Sequence, residues 1–251
     1  KLLSLPLQDY PYRVAWLNLL SKNAAQPPAI ISFAQFLSQD ALPANFRKPP
    51  KVKTATKLPR FSAYFLNRYT MSLWNQRYYR HQEKAQHTSI VPFQEYFYPL
   101  DQKTNWNLVY GKKGFLQHQS VFPRENAGEG FKALSKLLRK HDIPIYLAVL
   151  KAFGPENAAP LSFPLAGFSL AMDFPFAGSK TLNFTAELDA LVADHQGRVY
   201  LAKDAVLSPK HFRKMYPRYS EWLKVKQSYD PEQRFNSSLA RRLKLGALNE
   251  Y

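Results

Sequence analysis

The sequence predicts an α+β fold, an antiparallel β-sheet with its helices packed on one face, and three observations predict it. Residues 115–122, FLQHQSVF, put Phe115, Gln117, Gln119 and Val121 on one side at a period of two, as a strand does. Two later stretches place apolar residues at helical spacing, 131–138 and 184–192. Strand and helix signals then follow one another as β-α-β-β-α-β, the order of a split βαβ unit.

Residues 24–60 carry Pro27, Pro28, Pro43, Pro49, Pro50 and Pro59 with little sustained periodicity, which predicts loop around a short helix at 32–38. A mobile basic loop is expected over about 40–85. After the strand at 115, Asn126 is a candidate N-cap for a helix with Phe131, Leu134, Leu137 and Leu138 on its apolar stripe. Lys136, Arg139 and Lys140 lie towards its C-terminal end, where the helix dipole favours cations. IPIYLAVLK (143–151) and GFSLAMDF (167–174) read as strands. A helix at 180–195 then turns Phe184, Leu188, Leu191 and Val192 inward, and GRVYLAK (197–203) forms the last strand. From Ser208 the chain is basic and helical, with Asp230-Pro231 ending the helix that contains residues 221–226.

At 251 residues, 45% hydrophobic and 15% aromatic, the chain can bury one sizeable core or two modest ones. No apolar run approaches the roughly 18 residues that span a bilayer, and residues 1–7 are too short and interrupted for a signal peptide. The absence of cysteine excludes disulfides, thiolate nucleophiles and cysteine-ligated metal centres. A cytoplasmic protein, or one peripheral at the inner membrane, is the expectation. The formal charge of +17 attracts phosphates, nucleic acid or anionic headgroups. Part of it lies between Arg47 and Lys84, which reads either as a solvated loop or as a membrane- or phosphate-facing surface.

The six histidines show no metal-ligand spacing, so no metal site is predicted. Nine glycines form neither GxGxxG nor GxxxxGK[ST], so no complete phosphate-cradling loop is expected, and no Gly-x-Ser-x-Gly elbow is present.

Four stretches together carry a family resemblance: YGKKGFLQHQSVFP (110–123), LKAFGPENAAPLSFPLAGFSLAMDFP (150–175), VYLAKD (199–204) and MYPRYSEWLKVKQSYDPEQRFNSSLARRLKL (215–245). Weaker matches lie at YPYRVAWLN (10–18) and FYPLD (97–101). The chain resembles the FAD-dependent decaprenylphosphoryl-β-D-ribose oxidases and, through DPEQRFNSSLARRL, the wider D-arabinono-1,4-lactone oxidases of the vanillyl-alcohol oxidase superfamily. The resemblance implies a substrate-binding domain over 1–197 and, over 198–251, a segment returning to an FAD domain that would precede this stretch. It implies FAD as cofactor, hydride transfer from a secondary sugar alcohol to flavin N5, and a sugar or polyprenyl-phosphate sugar as substrate. An NAD(P)-dependent reductase partner follows from the same likeness, since such oxidases form the oxidising half of a two-enzyme epimerase.

By the same resemblance, Lys203 is the catalytic residue, contacting the substrate hydroxyl and the N1/C2 edge of the flavin, with Tyr200 packed beside the ring. Read from the residues alone, Lys203 is a solvated lysine at a strand end. Gln117 and Gln119 would read sugar hydroxyls and phosphate, Lys151 and Phe153 would hold the charged or hydroxylated end, and Ser169 would hydrogen-bond nearby. Ser169 and Ala171 stand where mycobacterial relatives have Asn and Cys, so Ala171 lacks the thiol that covalent inhibitors of those relatives attack. A rival reading is a basic binding module for nucleic acid or anionic membranes, with Tyr64, Phe65, Tyr69, Trp74, Tyr78 and Tyr79 interleaved among arginines. No nucleic-acid-binding signature accompanies it, and nucleic acid is not the expected partner.

Overall fold

A computed structural model of the chain describes residues 9–21, 26–46, 56–57, 66–84, 88–99 and 103–246. The strands are β1 (Tyr12–Leu17), β2 (Ala29–Ala34), β3 (Thr56–Lys57), β4 (Lys103–Thr104), β5 (Phe115–Pro123), β6 (Leu147–Phe153), β7 (Gly167–Pro175) and β8 (Arg198–Val199). Six of them form one sheet in the order β2-β1-β6-β7-β5-β8, every neighbouring pair antiparallel, while β3 and β4 pair separately. β5, a helix, β6, β7, a second helix and β8 follow one another in the predicted order β-α-β-β-α-β, with β1 and β2 added at the β6 edge.

The helices α3 (Ala127–His141) and α4 (Ser179–Asp194) cover one face of this sheet. Leu134, Leu137 and Leu138 of α3 and Phe184, Leu188 and Val192 of α4 pack on Phe122, Leu170, Met172 and Phe174 of the strands. Each side chain buried this way stabilises the fold by about 1.5–3 kcal/mol relative to exposure. Within the same core, His118 of β5 meets Asp189 of α4 at 2.9 Å (Nε2 to Oδ1), both residues buried.

The C-terminal helices α5 (Pro209–Met215), α6 (Tyr219–Tyr229) and α7 (Ser238–Arg242) continue this core through Phe212, Tyr216, Tyr219, Leu223 and Leu243. Ser208 and Ser237 cap α5 and α7 by accepting the amide hydrogens of His211 and Ala240. Asp230 stops α6, its carboxylate accepting the amides of Arg234 at 2.8 Å and Phe235 at 3.0 Å and the ammonium of Lys226.

Five sequence expectations are corrected. Residues 29–34 are strand β2 and not part of a loop leading into a helix at 32–38, because Ala29–Ala34 pairs with all six residues of β1. The expected basic loop of about 40–85 contains α1 (Arg68–Lys84), a helix whose inward side carries Asn75, hydrogen-bonded to Asn18 at 3.2 Å. Within that stretch residues 47–55 and 58–65, with Lys48, Lys51, Lys53, Arg60, Tyr64 and Phe65, lie outside the described residues, as do Pro49, Pro50 and Pro59. The strand set at 143–151 runs instead over Leu147–Phe153. The last strand ends at Val199 and gives way to a 3-10 turn over Leu201–Lys203, closed by the Lys203 amide donating to the Tyr200 carbonyl at 2.9 Å. Asn126 begins α3 without capping it: its side-chain oxygen accepts no amide of the first turn, and its side-chain NH2 donates to the His195 carbonyl at 3.2 Å.

No helix among the described residues is long and apolar enough to cross a membrane. The remaining helix, α2 (Phe93–Phe97), lies beside β1, where Phe97 meets the ring of Tyr12.

Candidate active site

The sheet face opposite α3 and α4 carries the predicted polar residues in rows fixed by register. Gln117 of β5 stands opposite Asp173 of β7, which stands opposite Leu147 of β6. The next row is Gln119, Ala171, Val149 and Trp16 of β1, and the next is Val121, Ser169, Lys151 and Val14. Directly opposed side chains on one face lie roughly 4.5–5.5 Å apart at Cβ, so each row is a set of contacts.

Asp173 is the hub. It is 2% exposed, and its Oδ1 accepts the Gln117 side-chain amide at 2.6 Å while Oδ2 lies 3.5 Å from the Tyr110 hydroxyl. Burial pushes the Asp173 carboxyl above the usual carboxylate range, against the opposing pull of Gln117, Lys203 and Tyr110. Tyr110, stacked on Phe115 with ring centroids 4.0 Å apart, has its own hydroxyl pKa raised, first by burial and then by the Asp173 charge, which keeps it a donor.

Lys203 enters this face from the turn after β8. Burial lowers its ammonium pKa, the charge of Asp173 raises it, and that of Lys151 lowers it further. It forms no ion pair within 4.0 Å among the described residues, so a partly desolvated cation is left available to a ligand. The turn that bears it is anchored through the next residue. Asp204 accepts Arg242 at 2.8 Å and the Leu207 amide at 2.7 Å, and Arg242 also donates to the Leu207 carbonyl at 2.7 Å. Thus the C-terminal LARRL stretch fixes the VYLAKD turn, two segments that sequence reading quoted separately.

The structure brings Gln117, Gln119, Ser169, Lys151 and Lys203 to one face. Gln119 donates its side-chain amide to the Ser169 hydroxyl at 3.0 Å, so each is partly engaged by the other. Phe153 and Tyr200 lie farther along the same side, joined through Phe163. Tyr200 stacks on Phe163 at 4.7 Å, and Phe153 meets Phe163 edge-on at 5.9 Å. These three rings form an aromatic wall beside the polar rows. A largely apolar cavity of about 220 Å³, lined by residues including Leu17, Phe131, Leu138 and Leu150, lies on the opposite, helix-covered side and takes no part in this face. Among the described residues no group of three or more His, Cys, Asp or Glu is placed to hold a metal ion.

The family model described as D-arabinono-1,4-lactone oxidase matches residues 115–243, the span that carries these site residues except Tyr110 and the β1 residues Val14 and Trp16. The chain belongs to the D-arabinono-1,4-lactone oxidase family. It is 36% identical over 245 residues to the decaprenylphosphoryl-β-D-ribose oxidase of Mycolicibacterium smegmatis, covering 94% of this chain and 52% of that protein. It is 22% identical over 133 residues to the L-gulono-1,4-lactone dehydrogenase of Mycobacterium tuberculosis, covering 53% of this chain and 31% of that protein. The chain therefore spans about half the length of the first of these relatives and less of the second.

Sequence reading missed Asp173, Tyr110 and Phe163 in this lactone-oxidase-family site. Asp173 gave a signal, since a carboxylate inside the apolar strand GFSLAMDFP is disfavoured in a strand and costly to bury without partners. Tyr110 and Phe163 lie outside regular strands and reach the face only through the fold.

Proposed function

We propose that this chain is the substrate-binding portion of an FAD-dependent oxidoreductase that oxidises a secondary alcohol of a sugar, either a lipid-linked ribose-like sugar or an aldonolactone. The single observation that carries this reading is the half-buried Lys203, without an ion pair among the described residues, near Asp173 on the sheet face that carries Gln117, Gln119 and Ser169. The residues present suit a flavin. A partly desolvated cation complements the electron-rich N1/C2 edge of an isoalloxazine, and Tyr200 with Phe163 offers flat aromatic surface next to it. When bound, FAD would supply the hydride acceptor at N5.

Oxidation removes a hydride from the alcohol carbon and a proton from its oxygen, leaving a ketone. Lys203, whose pKa burial lowers, would take the hydroxyl proton as a neutral amine and then, as an ammonium, face the N1/C2 edge of the flavin. Asp173 would act through Lys203 and Gln117: its charge keeps the lysine from losing its proton too readily, and its Oδ1 orients the Gln117 amide. Gln117, Gln119 and Ser169 would present donors and acceptors to ring hydroxyls. Exposed Lys151, one row beyond Gln119, would meet a phosphate or lactone oxygen, with Phe153 against the ligand's apolar side. The reading extends to a cytoplasmic setting, in keeping with a chain free of cysteine, and to an NAD(P)-dependent reductase that consumes the keto product.

Anaerobic addition of D-arabinono-1,4-lactone or a polyprenylphosphoryl ribose to the FAD-loaded full-length protein tests this. Bleaching of the flavin bands by either compound supports the reading. A protein that takes up no FAD, or whose flavin neither compound bleaches, contradicts it.

A further inference from the structure

We propose that the outward stripe of α1, with the aromatic cluster on the neighbouring sheet edge, docks the protein on an anionic lipid bilayer. Helix α1 is unusual in what it leaves in solvent. Tyr69, Leu73, Arg77, Arg80 and Lys84 follow one another at spacings of four, four, three and four residues, a single helical stripe, and all five are exposed. Trp74 flanks the stripe. Tyr69, Leu73 and Trp74 are 84%, 64% and 65% exposed, large apolar side chains that a solvated helix does not normally present together.

The inward side of the same helix is accounted for. Asn75 bonds Asn18, and Tyr78 meets Trp16 of β1 edge-on at 5.1 Å. Trp16 lies on the site face, and so does Tyr12, two pairs farther along β1. Around Tyr12 a second group of rings is exposed: Phe36 at 61%, Phe93 at 46% and Tyr98 at 52%, packed on one another and on Phe97. Both exposed groups therefore flank β1 on the side of the sheet that carries the polar rows.

Charge selects a lipid surface over a protein groove. Residues 41–84 contain ten lysines and arginines against one carboxylate, Glu83, and so hold more than half of the net charge of +17. Among the described residues Arg77, Arg80 and Lys84 form no ion pair. Aromatic and leucine side chains beside cations that outnumber Glu83, the one carboxylate of α1, match an interface of acyl chains under anionic headgroups. The arginine and lysine stems lie along the apolar boundary while their charged ends reach phosphate.

The test is co-sedimentation of the full-length protein with vesicles of phosphatidylcholine containing phosphatidylglycerol, and with phosphatidylcholine alone. The protein should bind the anionic vesicles, release as salt is raised, and bind the neutral vesicles weakly. Arg77→Glu/Arg80→Glu and Leu73→Glu/Trp74→Glu should each weaken binding by about tenfold or more. Because these side chains are exposed, the thermal midpoint should not move. Brominated acyl chains should quench the Trp74 fluorescence, and Trp74→Phe should remove that quenching. The proposal is overturned if the parent ignores anionic vesicles, if both double variants bind as the parent does, or if a single-stranded oligonucleotide displaces the vesicles.

Discussion

Ionising Asp173 costs more in the folded protein than in the unfolded chain, because burial raises its folded pKa above the ordinary value of 3.8. The cost is absent where both states are protonated. It grows as pH rises above the unfolded pKa and is complete above the folded one. Asp173→Asn removes the charge and keeps an acceptor for Gln117, so at neutral pH its thermal midpoint should equal or exceed the parent's, by ~2–4 °C for each kcal/mol relieved. That advantage should vanish in acid, and a variant less stable than the parent at neutral pH contradicts the account. Activity should move the other way. Without the Asp173 charge, which raises the Lys203 pKa, the limb of the kcat/KM pH profile set by Lys203 should shift to lower pH. The polar residues of β5 were legible as one strand face, whereas Lys203 read from its residues as a solvated lysine at a strand end and was marked only by the family resemblance. Their partner Asp173 was not legible, because nothing in a linear pattern shows which strand lies opposite Gln117.

The strand pair β5 and β7 carries most of the site, and its packing is close. A Cβ on Gly167 would stand 2.0 Å from the Phe122 carbonyl oxygen, so Gly167→Ala should destabilise the protein by about 1–3 kcal/mol or more in denaturant unfolding. Ala171, half-buried between Gln119 and Val149, offers a complementary probe. Since the chain has no cysteine, Ala171→Cys introduces its only thiol, on the site face. The thiol should react with a small alkylating reagent in the native state and be protected by bound ligand, whereas an inert thiol would mean the face is covered. The elements most legible in the sequence were α3, α4, β5 and β7, whose apolar patterns are strong. Helix α1 was hidden because its inward positions include Asn75 and Tyr79 where a pattern search looks for aliphatic residues. Strand β2 was hidden because its stability comes from pairing with β1. Strand β8 is short because the Val199 carbonyl accepts the Tyr216 hydroxyl at 2.7 Å, after which the chain turns into the bend that delivers Lys203.

One apolar core runs from β5 through α3 and α4 to α7, so the C-terminal segment that anchors Lys203 is held by the same packing that supports the sheet. At its centre, His118 and Asp189 bond each other, while His118 Nδ1 and Asp189 Oδ2 find no partner among the described residues. Asp189→Ala should therefore cost about 1–3 kcal/mol, read as a lowered denaturant midpoint, because it leaves a buried imidazole without its hydrogen-bond partner. The basic charge and the aromatics interleaved with it were legible in the sequence, whereas the helix that sets Arg77, Arg80 and Lys84 in one exposed stripe with Tyr69 and Leu73 was not. The central claim is that Lys203, carried to the polar face by the turn after β8, serves the oxidation of a sugar alcohol. Its most direct test is the rate of substrate-driven flavin reduction, followed by rapid mixing, in the FAD-loaded parent and in Lys203→Ala. The account predicts that the variant retains FAD, is still reduced by dithionite, and is reduced by substrate at least about 100-fold more slowly. A reduction rate within about twofold of the parent would contradict it.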